Sequence, residues 1–214
     1  FISHEAIYQW IWLNKERKGN LYRYLKRRGR TYRKRIASYG DRGQIRHRVD
    51  IDQRPQIVHD RRRVGDWEID SIVGKGHHGA IISMVERNTR YTKLVKVMDR
   101  KAARVAVALA RSLRKLNSKV LTITSDNGKE FAYHQHVSNA LNADFFFAKP
   151  YSAWQRGTNE NTNGLVRYYL PKGTDFSTLK HKDVQVIEDL LNNRPRKCLG
   201  FKTPKEVMDF ALTA

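Results

Sequence analysis

The 214 residues carry 42 Lys and Arg against 21 Asp and Glu, a formal charge of +21. That is enough chain for one well-buried domain with smaller appendages, and enough positive charge to favour polyanionic partners held in a salt-dependent way. The one cysteine, Cys198, excludes an internal disulfide and a cysteine-built zinc cluster and fits a reducing cytoplasm. The longest apolar stretches have strand length, so no membrane span is expected. The chain opens on Phe1 rather than Met, as expected of a fragment or a processed product.

Ser3, Glu5 and the stripe Ile7, Trp10, Ile11 predict a short capped helix over 2–11. Between Lys26 and Arg35 seven of ten residues are basic: Lys26, Arg27, Arg28, Arg30, Arg33, Lys34 and Arg35. This run reads as an extended DNA-binding arm. The polar stretch 41–63 prolongs it and ends in Arg61-Arg62-Arg63. Residues 1–64 hold 18 basic and 6 acidic residues, a net of +12, leaving 24 and 15, a net of +9, for the rest.

A globular body is expected from near Val64. Asp66–Val73, Ala80–Glu86 and Thr92–Met98 read as strands, the last two joined by a turn at Asn88-Thr89-Arg90. Asp99 is placed to cap a helix running to about Leu116, whose Val105, Leu109, Leu113 and Leu116 share a face. Val120–Ser125 reads as a buried strand, Phe131–Leu141 as a helix, and Asp144–Ala148 as a further strand carrying Phe145-Phe146-Phe147 into the core. A polar helix follows from about Trp154 and stops at Pro171-Lys172-Gly173. A helix over His181–Asn192 precedes Arg194-Pro195, and Pro204 opens a terminal one. The order β-β-β-α-β-α-β-α predicts an α/β domain: a mixed five-stranded sheet with helices on both faces.

Three acidic residues could carry chemistry. Asp70 lies on a strand, Asp126 ends another before Asn127-Gly128, and Glu160 sits in the polar segment 157–164. Carboxylates of this kind are the oxygen ligands that a pair of divalent ions needs for phosphodiester chemistry. Taken alone, Asp126 reads as an Asx turn or helix cap and Glu160 as an exposed helical residue. On a helix Glu160, Asn163, Gly164 and Arg167 share one face, a surface suited to a metal-bound DNA end. Asp66 has the strand parity of Asp70 but lies about 13 Å back along an extended chain. Glu68, closer to Asp70, reads as an exposed strand residue, with support of that ligand position as the alternative; Glu130 reads as helix-start electrostatics, and His77, His78, His134 and His136 as surface or DNA-facing rather than zinc ligands. Trp154, Arg156 and Lys172 are further candidate DNA contacts.

Several motifs in this order resemble the insertion-sequence-thirty family of bacterial DDE transposases, within the retroviral-integrase-like group. They are Gly65-Asp66-Trp67-Glu68-Ile69-Asp70, Thr124-Ser125-Asp126-Asn127-Gly128-Lys129-Glu130-Phe131, Pro150-Tyr151, the segment Trp154 to Gly164, Pro171-Lys172-Gly173, Asn193-Arg194-Pro195-Arg196-Lys197 and Phe201-Lys202-Thr203-Pro204. Ile69 departs from the small residue usual at that point. The resemblance implies a ribonuclease-H-like integrase catalytic core over 64–175, with Asp70, Asp126 and Glu160 as catalytic and metal-binding residues for Mg²⁺ (or Mn²⁺), in a pair. It implies cleavage at element ends and strand transfer into target DNA by a homo-oligomer in the bacterial cytoplasm, at the nucleoid. Residues 1–25 are similar to the tail of a helix-turn-helix region, 26–63 to a basic linker, and 176–214 to a C-terminal helical segment. A different nuclease of the same fold and a non-catalytic DNA-binding protein are the competing readings.

Overall fold

The computed structural model describes residues 2–25, 45–116, 120–149, 152, 155 and 157–213. The chain divides into two compact units, Phe1–Gly40 and Asp41–Ala214. In the first, helix α1 (His4–Glu16) starts at Ser3, whose hydroxyl accepts from the Ala6 N–H at 3.2 Å. A single 3₁₀ turn, Leu21–Tyr24, follows. Asn14 Oδ1 accepts from the Leu21 N–H at 3.2 Å, and the Lys15 ammonium lies over the rings of Trp12 and Tyr22. Trp10 remains exposed. The basic run from Lys26 to Arg35 lies outside the described residues.

The second unit is built on a six-stranded mixed sheet in the order β1-β6-β5-β2-β3-β4. Its strands are β1 (Val49–Asp50), β2 (Asp66–Val73), β3 (Ala80–Glu86), β4 (Thr92–Val97), β5 (Thr122–Ser125) and β6 (Asp144–Phe147). β2, β3 and β4 form an antiparallel meander, while β5 and β6 join in parallel. The sixth strand, β1, is one more than the sequence predicts. It pairs in parallel with β6 through Val49 and Phe146. Two residues flanked by Arg48 and Ile51 carry no alternation from which to read a strand. Around β1, Ile45, Ile51 and Val58 are buried, so the body takes in chain well before Val64.

Alternation along β2 divides the core. Trp67 and Ile69 join the cluster made by Val105, Leu109 and Leu113 of α3 (Ala102–Arg114) and Val137 of α4 (His134–Leu141). Ile69, unusual in its motif, therefore packs in the core. Ile72 lies on the opposite face with Leu165 and Val166 of α5 (Gly157–Tyr169) and Val184, Ile187 and Leu191 of α6 (His181–Asn192). Glu68 and Asp70 share parity with Ile72 and so face α5. Two short helices complete the set, α2 (Gln56–Asp60) and α7 (Pro204–Thr213). Asp99 does not cap α3; its Oδ1 accepts from the Lys101 N–H, and the helix begins at Ala102. Among the described residues no helix is long and apolar enough to cross a membrane.

Helix α6 closes the open edge of β4. Asn192 accepts from the Thr92 N–H and donates to the Thr92 carbonyl, both at 2.8 Å, and Glu188 Oε2 accepts from the Leu94 N–H at 2.7 Å. An edge strand is thereby finished by side chains instead of another strand.

Candidate active site

Asp70 and Asp126 come together through strand register. In the parallel ladder, Asp66 pairs with Thr122, Trp67 with Ile123 and Glu68 with Thr124. The offset is 122 − 66 = 56, and 126 − 70 = 56, so the same register carries Asp70 to the level of Asp126. Asp126 also keeps the parity of Thr124 and thus the face of Asp70. The paired ladder stops at Glu68–Thr124, two residues short of this pair. Asp126 Oδ1 accepts from the Gly128 N–H at 2.9 Å, the Asx turn open to it on sequence grounds. The turn and the alignment with Asp70 coexist.

Helix α5 reaches this pair through Asn163. Its Nδ2 donates to Asp70 Oδ2 at 2.8 Å, while Ser83 Oγ donates to its Oδ1 at 2.7 Å. Ser83 is the cross-strand partner of Asp70; the acceptor-only carboxylate selects the amide orientation that presents the NH₂ to it, and the Ser83 hydroxyl donates to the oxygen that remains. Glu160 is exposed on α5, three residues before Asn163 and on the same face. Among the described residues no three His, Cys, Asp or Glu side chains converge tightly enough to hold a metal ion. Register gathers the two aspartates, and α5 brings Glu160 to their side of the sheet without closing a three-carboxylate cage.

The neighbouring acids have other tasks. Asp66 is buried, gripped by Arg63 through Nε at 2.9 Å and a second nitrogen at 3.0 Å, with the Thr122 hydroxyl at 2.7 Å. Glu68 is fully buried and not an exposed strand residue. It accepts from an Arg87 guanidinium nitrogen and, through Oε2, from the Asn159 N–H at 3.0 Å. Glu130 does more than favour a helix start: its Oε1 accepts from Ser71 Oγ at 2.5 Å and from Arg100 at 3.3 Å, tying the loop after Asp126 to the residue after Asp70. Glu86 is buried and accepts from Gly65, Asn88 and Thr89. Burial pushes its pKa up against the pull of these bonds.

The candidate DNA-contacting cations divide similarly. Arg61, Arg62 and Lys172 are exposed. Arg63 is committed to Asp66, and Arg167 to the Val73 carbonyl at 2.7 Å and to the face of Phe176. Burial lowers the Arg167 pKa. Arg156 and Trp154 lie outside the described residues. Arg54 is a buried cation that the sequence does not single out. It donates to Thr124 Oγ1 at 2.9 Å, and burial, then Arg87, lowers its pKa to about 10. His134 is a core residue, not a surface one: it packs against Phe145 and Phe147, with Nε2 3.1 Å from the His47 carbonyl. His77, His78 and His136 are exposed.

The fold has solved counterparts. The simian T-cell lymphotropic virus intasome in complex with a PP2A regulatory subunit superposes with a TM-score of 0.55 at 18% identity, over 68% of this chain and 54% of that one. The catalytic core domain of BIV integrase superposes with a TM-score of 0.51 at 21% identity, over 69% of this chain and 95% of that one. The fold is thus ribonuclease-H-like, the architecture shared by these integrase structures. No protein-family model matches the chain. Relatives by sequence are more specific. The transposase for insertion sequence element IS4351 of Bacteroides fragilis is 51% identical over 96% of this chain and 63% of its own length. That for IS1086 of Cupriavidus metallidurans is 44% identical over 97% and 62%, and InsI of IS30A from Escherichia coli 36% identical over 97% and 56%. Over almost its whole length the chain is thus similar to transposases of insertion sequence elements, that of IS30A among them, and it spans less than two thirds of the length of these relatives.

Proposed function

We propose that this chain carries the catalytic core of a DNA transposase, cleaving at element ends and transferring a 3′-OH into target DNA with Asp70, Asp126 and Glu160 as its acidic residues. The observation that carries the reading is the shared register of Asp70 and Asp126 beside α5, in a chain 36–51% identical to named transposases. The donors suit a hard divalent ion: carboxylates with an amide beside them, without sulfur or imidazole. Mg²⁺ (or Mn²⁺), bound as a pair, would offset charge on the scissile phosphate and activate the attacking and leaving oxygens. Asp70 and Asp126 would hold it from the sheet and Glu160 from the helix.

The chain's own contribution is orientation. Ser83 anchors the Asn163 amide oxygen, Asn163 aims one oxygen of Asp70, and the Asx turn fixes Asp126. The basic run 26–35 and exposed Arg61, Arg62 and Lys172 would hold DNA phosphates, as would Arg156 from the segment before α5. Element ends and target DNA are the expected partners. Bringing two ends together calls for a homo-oligomer, working at the bacterial nucleoid.

The test is strand transfer on pre-nicked element ends with Mg²⁺. Joining by the parent chain, lost in Asp126→Asn and Glu160→Gln with DNA binding retained, supports the proposal; hydrolysis without joining points to another nuclease of this fold. A DNA-binding chain without catalysis is the competing reading. DNA binding by the parent with no metal-dependent cleavage or joining would establish it.

A further inference from the structure

We infer that Glu68, backed by Arg87, is the positioning residue that sets Glu160 relative to the two aspartates, by capping the start of α5 from the strand that faces it. The inference rests on the catalytic reading above and deepens it. Asn159 is the third residue of α5, and its N–H is one of the first-turn donors that no carbonyl within the helix can satisfy. Glu68 Oε2 accepts that N–H at 3.0 Å, placing a carboxylate at the positive end of the helix dipole. Glu160 is the next residue, so fixing the Asn159 backbone fixes the point from which the Glu160 side chain departs.

A second rung completes the arrangement. Glu68 and Asp70 are two residues apart on one strand face, about 6.7 Å. Asn159 and Asn163 are four apart on the helix, a rise of about 6 Å. The matched spacings let α5 lie along β2 with Glu68 holding Asn159 and Asp70 held by Asn163. One contact would leave the helix free to pivot; two set both its rotation and its advance along the strand. Arg90 adds a tether, donating to Thr158 Oγ1 at 2.9 Å.

Stability alone gives little reason for this pair. Glu68 and Arg87 are both buried, and replacing a buried ion pair with apolar residues of similar volume is often neutral or stabilising. What an apolar pair cannot do is accept the Asn159 N–H. Arg87 is itself fixed, its Nε donating to the Val58 carbonyl at 3.1 Å, so the carboxylate is neutralised without being drawn away from the helix.

The experiment uses the full chain as parent, Glu68→Gln, Arg87→Lys and the double variant Glu68→Met with Arg87→Met, which removes the pair without leaving a lone buried charge. Three quantities are read: amide hydrogen exchange at Asn159, Mn²⁺ affinity by water-proton relaxation without DNA, and kcat and KM for joining pre-nicked ends. Groups that support metal ligands typically change affinity or activity by about 10–100-fold. Glu68→Gln and the double variant are expected to exchange faster at Asn159, bind Mn²⁺ weaker by about that factor, and lose kcat with KM for DNA within about twofold. Arg87→Lys, which keeps the cation, should stay near the parent. A double variant with parental Tm, Mn²⁺ affinity and kcat overturns the inference, as does unchanged exchange at Asn159 or a parent without measurable Mn²⁺ binding. Should the parent bind Mn²⁺ yet fail to join strands, the catalytic reading fails, and exchange with Mn²⁺ affinity still decides the role of Glu68.

Discussion

Removing the Asn163 amide is the sharpest test of how the sheet and α5 act together. In Asn163→Ala the bond to Asp70 Oδ2, 2.8 Å in the parent, disappears and Ser83 Oγ loses its 2.7 Å acceptor. A hydrogen bond to a charged group contributes about 1.5–3 kcal/mol. If the reaction needs Asp70 held in that orientation, the rate falls roughly 10- to 150-fold at about 1.4 kcal/mol per decade. Ser83→Ala leaves the amide on Asp70 but removes its second anchor. Losing one neutral bond of about 1 kcal/mol predicts a drop of about fivefold. Single-turnover strand transfer on pre-nicked ends measures both, with thermal unfolding run alongside to show that each variant is folded. A folded Asn163→Ala within twofold of the parent would refute the argument, and so would Ser83→Ala slower than Asn163→Ala.

Asn192→Ala leaves the N–H and C=O of buried Thr92 without the partners that close the β4 edge. The cost is at least about 2 kcal/mol, and calorimetry should show Tm lower by at least about 4–8 °C in a chain of this size; a change under about 1 °C would contradict the edge role. Glu86 has a folded pKa raised by burial, so its stabilising contribution is complete below its unfolded pKa near 4.5 and is lost as pH rises through the folded value. Urea unfolding from pH 4 to 8 should therefore show the stability of the parent falling relative to Glu86→Gln across that window, and a constant difference would count against it. Neutralising the seven cations between Lys26 and Arg35 should flatten the salt dependence of DNA binding, by up to about six in the slope of log K against log salt. Equal slopes for the two chains would remove that segment from the DNA-binding surface.

Much of the fold is legible because its signals are local. Asp66–Val73 and Ala80–Glu86 begin and end where the sequence places them, since turn residues bound each apolar run. His181–Asn192 does so because its apolar stripe stops at Asn193 before Arg194-Pro195. Strand β1 escapes notice because its two residues are held by pairing with β6, a contact made almost a hundred positions away. His134 is misplaced for a related reason. Its own neighbours are polar, and only the return of β6 brings Phe145 and Phe147 against its ring.

The acidic residues expose the same divide between composition and packing. Glu68 and Asp70 have one chemistry, one strand and one face, yet Glu68 is sealed and Asp70 is only half-buried. Their difference comes from where Arg87 and the first turn of α5 arrive, and no local pattern encodes either. Asp66, Glu68, Glu86 and Glu188 are all buried, each held by named donors: Arg63, Arg87, the 88–89 turn and the edge of β4. These carboxylates are thus committed to partners within the protein. Asp70, Asp126 and Glu160 are set apart because each stays at least partly accessible along one face of the sheet, and only the 56-residue register between β2 and β5 makes neighbours of the first two.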